Sequence, residues 1–269
     1  MEILLVNGQD ALIEANHRAL AYGDGLFETC LVSHRTIHFL AAHLQRLMDG
    51  AKKLLLPFDD AQKLSLKQDV VHLTSHINEP HVLKIMLLRK APGRGYDFNP
   101  KVQGLDVVIQ LNPYQKPDWC QGAKVVESSI PVSENAYLAG IKHLNRLDSV
   151  LARQEARSEG AHDALMLTSK RRVIESSMAN VFLKVQGQWF TPILDTAGVN
   201  GIIRQHLLSA FSSQILEQHI DQATLAQVES AFLTNSLMGI IPIIELNQRK
   251  LELCSNLTQF THSLRLLRD

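Results

Sequence analysis

The chain has 269 residues, and its 27 lysines and arginines balance 27 aspartates and glutamates, so the formal net charge is zero. That balance argues against binding nucleic acid or an acidic membrane, either of which normally leaves a basic excess. With 45% hydrophobic and 20% charged residues, the composition is that of an ordinary globular protein with material for one large domain or two smaller ones. Cys30, Cys120 and Cys254 are odd in number and far apart, which suits a reducing compartment better than a disulfide framework. The twelve histidines form no HExxH or Cys/His ligand pattern, so no metal is expected. No apolar run approaches the roughly twenty residues of a membrane helix. The first ten residues read as a strand and a turn, not a leader, and the expected location is the cytoplasm.

In chain order, ILLV (3–6) before the turn signal Asn7-Gly8 predicts a first strand. FETCLVSHRTIHF (27–39) predicts two strands with a hairpin turn near Ser33, His34 and Arg35. Over 40–55, Leu44, Leu47, Met48, Ala51 and Leu55 fall on one helical face, and Pro57 stops the helix. A second amphipathic stretch covers 61–77. HVLKIMLLR (81–89) and GLDVVIQL (104–111) predict strands, the first buried. NPYQKPDW (112–119), with two prolines and few apolar residues, reads as a linker. Beyond it come a strand at 123–130, a helix over 145–159, and short strands at 162–168, 171–177, 179–185 and 188–192. A helix at 201–211 and a strand at 229–235 follow. Strands with interspersed helices predict an α+β fold of two domains, 1–111 and the larger 120–269, with an active site in the cleft between them.

Several residues stand out chemically. In GIKHLNRLDSV (140–150), Lys142 lies where an irregular segment meets a helical pattern of Leu144, Leu147, Val150 and Leu151. Lysine is a nucleophile only as the neutral amine, which requires desolvation or a nearby cation. Ile141 and Leu144 can supply the first and His143 and Arg146 the second; a solvated lysine at a helix start is the alternative. Strand alternation puts Glu175 on the face of Val173, pointing inward. A buried carboxylate there needs a cation, either a protonated ring nitrogen or an arginine such as Arg171. In AGVNGIIRQHLL (197–208), Asn200 can cap a helix, Gly201 lets the backbone approach a ligand, and the amides of Ile202 and Ile203 suit an anion. A capped helix and nothing more gives the same pattern. Arg46 is either a solvated cation or a bidentate phosphate contact. Together these are the parts that hold pyridoxal phosphate.

Six segments carry a resemblance: NHRALAYGDGLFET (16–29), HLQRL (43–47), GIKHLNRL (140–147), VIESSMANVF (173–182), GVNGIIR (198–204) and FLTNSLMGIIPI (232–243). In this order they resemble the fold-type-IV pyridoxal-phosphate enzymes, which include branched-chain and D-amino acid aminotransferases and 4-amino-4-deoxychorismate lyases. The resemblance implies that Lys142 forms the Schiff base and moves protons, and that Glu175 pairs with the pyridinium nitrogen. It implies that Arg46, the amides of Ile202 and Ile203, and Ser236 with Asn235 hold the phosphate, while Asn180 supports the site. GIKHLNRL, YGDGLFET, ESSMANVF and GRGY (93–96) look most like the lyases, which make 4-aminobenzoate and pyruvate for folate synthesis. An aminotransferase on the same scaffold is the alternative. Thr29 is then a second proton donor for the leaving oxygen, and Arg94 or Arg146 binds the substrate carboxylates. A homodimer is implied. One departure is His17, where the lyases often have aspartate before the Arg of the RAL segment.

Overall fold

In a computed structural model of the protein, the described residues are 3–10, 13–92 and 95–265, and every element below comes from them. Arg94 lies outside them. The chain divides into two units: residues up to Gln115 with Ile141–Asn145, and Lys116–Gly140 with the residues from Arg146 onward. Ile141–Asn145 falls inside the 120–269 expected for the second domain, yet it is grouped with the first. Within the expected linker, the last strand of the first unit runs on through Pro113 and a 3-10 turn begins at Asp118.

The first unit contains β1 (Ile3–Val6), α1 (Arg18–Tyr22), β2 (Gly25–Ser33), β3 (Thr36–Ile37), α2 (Leu40–Leu54), α3 (Asp60–Thr74), β4 (His81–Lys90) and β5 (Gly104–Pro113). The strands form an antiparallel sheet in the order β1-β5-β4-β2-β3. Period-two alternation buries Leu26, Glu28, Cys30 and Val32 on one face of β2 and leaves Phe27, Thr29 and Leu31 half-buried on the other. The α2 stripe of Leu44, Leu47 and Ala51 is buried as expected. At order-of-magnitude scale, each leucine contributes roughly 1.5–3 kcal/mol. Gly50 allows the close contact of α2 with β2, because a Cβ there would lie 2.9 Å from Leu26 Cδ1.

Leu55 departs from the expected stripe. It sits past the last turn with φ 55°, in the left-handed region, and is 61% exposed. The second helix ends at Thr74, short of residue 77, and starts in a capping box between Asp59 and Gln62. His34 and Arg35 both have positive φ, 51° and 63°, as a two-residue hairpin turn requires. The five-residue α1 is too short for periodicity to reveal. His17 starts it by accepting the Ala19 N–H at Nδ1 (3.0 Å), which leaves its ring proton on Nε2, 3.3 Å from Asp106 Oδ2. The histidine that departs from the lyase pattern thus does the work of a capping aspartate.

The second unit contains β6 (Ala123–Glu127), α4 (Leu147–Ser158), β7 (Asp163–Leu167), β8 (Arg172–Ser176), β9 (Asn180–Val185), β10 (Gln188–Pro192), α5 (Ile202–Ala210), β11 (Ile215–Gln218), β12 (Ile220–Asp221), β13 (Ser230–Asn235), β14 (Gly239–Leu246), β15 (Arg249–Lys250) and α6 (Asn256–Arg265). Its sheet runs β11-β10-β9-β13-β14-β6-β7-β8-β12, with β15 on β14. Val125, Leu165, Val181, Leu233 and Ile241 fill one core cluster, and Met166, Ile174, Ala152 and Ala156 another against α4. Phe182 stacks on Phe232 at 4.6 Å, Trp189 stands edge-on to Phe232, and Phe260 is edge-on to Trp189.

The apolar stripe expected on α4 is real in spacing but faces outward. Leu147, Val150 and Leu151 are 79%, 60% and 54% exposed, and the helix packs through Ala152 and Ala156 instead.

Candidate active site

The segment carrying Lys142 pairs with the edge of β2 through an isolated antiparallel bridge. Phe27 N–H donates to the Lys142 carbonyl (3.0 Å), Leu144 N–H donates to the Gly25 carbonyl (3.1 Å), and Leu26 bridges His143 in antiparallel fashion. Leu144 packs against the cluster of Val6, Leu88 and Val108. Lys142 is therefore held at a sheet edge, half-buried, and not at the start of α4. Its Nζ lies 4.4 Å from the Phe27 ring centroid, and Lys84 Nζ lies 5.5 Å from the same ring. Thr29, opposite Lys84 in the β2–β4 register, shares the face of Phe27.

The glycines of YGDG make this docking possible. A Cβ on Gly25 would fall 2.4 Å from the Leu87 carbonyl and 2.9 Å from Leu144 Cδ1. One on Gly23, whose φ is 64°, would fall 2.4 Å from Asn145 Oδ1. The two motifs, far apart in the chain, are two halves of one joint. Asp24 between those glycines accepts from Arg18 Nε at 2.9 Å and from Arg89 Nε at 2.9 Å. Arg18 also donates to the carbonyls of Gly95, Tyr96 and Asp97. Arg18 and Asp24 lie within the quoted segment 16–29, but neither they nor Arg89 carry a site role in the sequence reading.

On the opposite face of β2, Glu28 meets α2. Its Oε1 accepts from Arg46 Nε (2.7 Å), and its Oε2 accepts from Arg46 Nη2 (2.6 Å) and His43 Nδ1 (2.5 Å). Burial raises the Glu28 pKa, but the Arg46 charge and hydrogen bonds, with His43, overcome it and bring it down to about 2. Burial holds the His43 imidazole below its ordinary value despite Glu28. The cluster is thus a carboxylate, a guanidinium and a neutral imidazole. Arg46 was singled out from sequence; Glu28 and His43 were not.

In the second unit Glu175 is buried on β8, a strand covered on both faces. Arg171, its expected alternative partner, bonds Glu127 and Gln222. Glu175 Oε2 instead accepts the Val199 N–H at 2.9 Å and faces Asn180 Nδ2 at 3.5 Å. Asn180 Nδ2 also donates to the Val199 carbonyl at 2.8 Å. Glu175, Asn180 and the 198–201 turn are therefore one assembly. The serines of ESSMAN build the neighbouring turn, donating from Ser176 and Ser177 to buried Asp163. Burial raises the Asp163 pKa.

Asn200 does not cap α5. Its Oδ1 accepts from Arg204 Nη1 at 3.0 Å, and the N-cap is Gly201, with no side-chain cap. The amides of Ile202 and Ile203 accordingly have no acceptor among the described residues, as an anion-binding helix start requires. Asn235 spends its oxygen on the turn, accepting from Leu237 and Met238 N–H at 3.1 and 2.9 Å, and Ser236 is carried by that turn. Arg146 precedes α4 and is half-buried. Among the described residues no group of three or more His, Cys, Asp or Glu is placed to hold a metal, and no helix is long and apolar enough to cross a membrane.

Residues 25–246 match the model of the Amino-transferase class IV family, and the chain belongs to that family. Its fold is the α+β fold of the fold-type-IV enzymes. The chain is 31% identical to the 4-amino-4-deoxychorismate lyase of Pseudomonas aeruginosa, whose crystal structure superposes with a TM-score of 0.86 over 98% of both chains. It is 29% identical over 234 residues to the aminodeoxychorismate lyase of Vibrio harveyi, covering 84% of each. It is 26% identical over 253 residues to a putative branched-chain-amino-acid aminotransferase of Methanocaldococcus jannaschii, covering 91% of this chain and 86% of that one.

Proposed function

We propose that the protein is a pyridoxal-phosphate-dependent lyase that converts 4-amino-4-deoxychorismate to 4-aminobenzoate and pyruvate. The observation that carries this is the joint between YGDG and GIKHLN, in which Asn145 of the lyase-like segment closes on Gly23 beside Lys142. The similarity to lyases at 29% and 31% identity supports it.

The residues fit the cofactor. Gly201 lets Asn180 pack against the backbone where α5 begins, and the amides of Ile202 and Ile203, with Ser236, supply donors for a phosphate in the second unit. Arg46, on α2 of the first unit, is the guanidinium that the resemblance assigns to the same group. Glu175, fixed by the Val199 N–H, is a carboxylate suited to hold a proton on a ring nitrogen, and Asn180 and Asn235 support the site. When bound, pyridoxal phosphate supplies an electron-poor ring that takes up the electron pair left by proton removal. Lys142 anchors it, removes the proton from the substrate carbon bearing nitrogen, and returns a proton towards the departing enolpyruvyl oxygen. Thr29 is a second donor there. Aromatisation of the product ring drives the step. Arg94, or in its place Arg146, is the cation for the substrate carboxylates.

The reading extends to folate synthesis, a cytoplasmic location and a homodimer. The free cysteines support the second, and the outward stripe of Leu147, Val150 and Leu151 supports the third. The test is to offer purified protein aminodeoxychorismate and follow 4-aminobenzoate. In parallel it is offered D-alanine or L-leucine with 2-oxoglutarate. The lyase reading expects aminobenzoate; strong transamination with none formed overturns it in favour of an aminotransferase.

A further inference from the structure

We infer that Glu28 is a positioning residue for phosphate recognition: by occupying one edge of the Arg46 guanidinium, it fixes which N–H groups the arginine turns towards a phosphate monoester. The inference rests on the reading of Arg46 as a phosphate contact. Arginine carries five N–H donors in a planar fork. Two of them, one on Nε and one on Nη2, are held by the two oxygens of Glu28 at 2.7 and 2.6 Å. The other three, two on Nη1 and one on Nη2, lie on the edges that face away from this carboxylate.

Glu28 is itself immobilised. It projects from a strand interior, its side chain is 1% exposed, and its Oε2 is also gripped by His43 at 2.5 Å. His43 and Arg46 are three residues apart on α2 and so lie on neighbouring positions of one helix face. The guanidinium cannot rotate about its long side chain without breaking both bonds to Glu28. A flexible cation is thereby turned into a fixed fork, and the rotamer freedom that phosphate binding would otherwise cost is lost on folding.

Positioning and simple charge make opposite predictions. Glu28 carries negative charge beside the arginine, so on electrostatics alone its removal strengthens phosphate binding. If Glu28 positions Arg46, its removal weakens it. The experiment titrates cofactor-free protein with pyridoxal phosphate and with pyridoxal, which lacks the phosphate, and takes the ratio of the two Kd values. Arg46→Gln is expected to shrink the preference for the phosphorylated form. Glu28→Gln is expected to shrink it by about tenfold, the scale of one lost charge-assisted hydrogen bond, with pyridoxal affinity unchanged. A preserved or enlarged preference in Glu28→Gln, alongside a diminished one in Arg46→Gln, overturns the inference alone. An unaltered preference in Arg46→Gln overturns the reading of Arg46 and the inference with it. If Glu28→Gln does not fold, Glu28→Asp serves. It keeps the charge but shortens the reach by one methylene, so positioning predicts a weakened preference and charge alone predicts none.

Discussion

Asn180 Oδ1 stands where a side chain on residue 201 would begin: a Cβ built on Gly201 lies 2.0 Å from it. The same amide holds the Val199 carbonyl through Nδ2 at 2.8 Å. Gly201→Ala is therefore expected to displace Asn180, destabilise the protein by about 1–3 kcal/mol as overpacking does, and weaken pyridoxal phosphate binding. A thermal melt and a cofactor titration check it; normal affinity would show that the tight turn does not serve the cofactor.

Glu175→Gln keeps an acceptor for the Val199 N–H but removes the charge. The expected outcome is a fall in kcat on the order of a hundredfold, the scale of losing one fixed electrostatic stabiliser, with the fold intact by circular dichroism. Near-normal turnover would remove Glu175 from the chemistry.

The Glu28 cluster makes stability pH-dependent in a definite direction. The Glu28 pKa falls from 4.5 to about 2 on folding, so its contribution is full above pH 4.5 and is lost as the pH falls through about 2. The His43 pKa is also lowered from 6.5, so the unfolded chain takes up its proton first and stability declines as the pH drops below 6.5. Urea unfolding from pH 8 to 3 should show both losses. Glu28→Gln should start about 3 kcal/mol or more less stable, the scale of breaking a buried pair, and should lack the added steepness below pH 4.5.

The exposed stripe on α4 offers a test of assembly. Leu147→Lys with Leu151→Lys is expected to shift a dimer towards monomer in sedimentation velocity. It should change the stability of the protomer by no more than about 0.5 kcal/mol, as exposed substitutions do. A wild-type protein that is already a monomer defeats the proposed homodimer.

Asp24→Ala leaves Arg18 and Arg89 without their shared carboxylate. Both arginines are buried, and the expected cost is about 3–5 kcal/mol. A lowered melting temperature and faster proteolysis around residues 95–97 would register it.

Much of this was legible in the residues, for identifiable reasons. The β2 alternation and the α2 stripe are periodic and long, so Leu44, Leu47 and Ala51 could be placed without coordinates. Periodicity could not say which way the α4 stripe faces, because an interface and a core demand the same spacing. Leu55 continued the stripe on paper, but the helix ended one residue before it. The motifs single out Lys142 and Glu175, yet give no hint that the Lys142 segment bridges to β2 or that Asn200 gives its oxygen to Arg204. Glu28 and Asp24 were silent because their meaning lies in partners elsewhere: Arg46 is 18 residues from Glu28, and Arg89 is 65 from Asp24.

The bridge between β2 and the Lys142 segment bears on how the molecule can be taken apart. Gly25 and Phe27 use an edge carbonyl and an edge amide on a segment that lies beyond residue 140. A chain severed between Gln115 and Lys116 would leave its first piece with that edge bare, and a bare edge seeks another molecule. The second piece carries the matching groups together with the lysine. Two fragments produced separately should therefore recover cofactor binding only on mixing, while the first piece kept alone should self-associate.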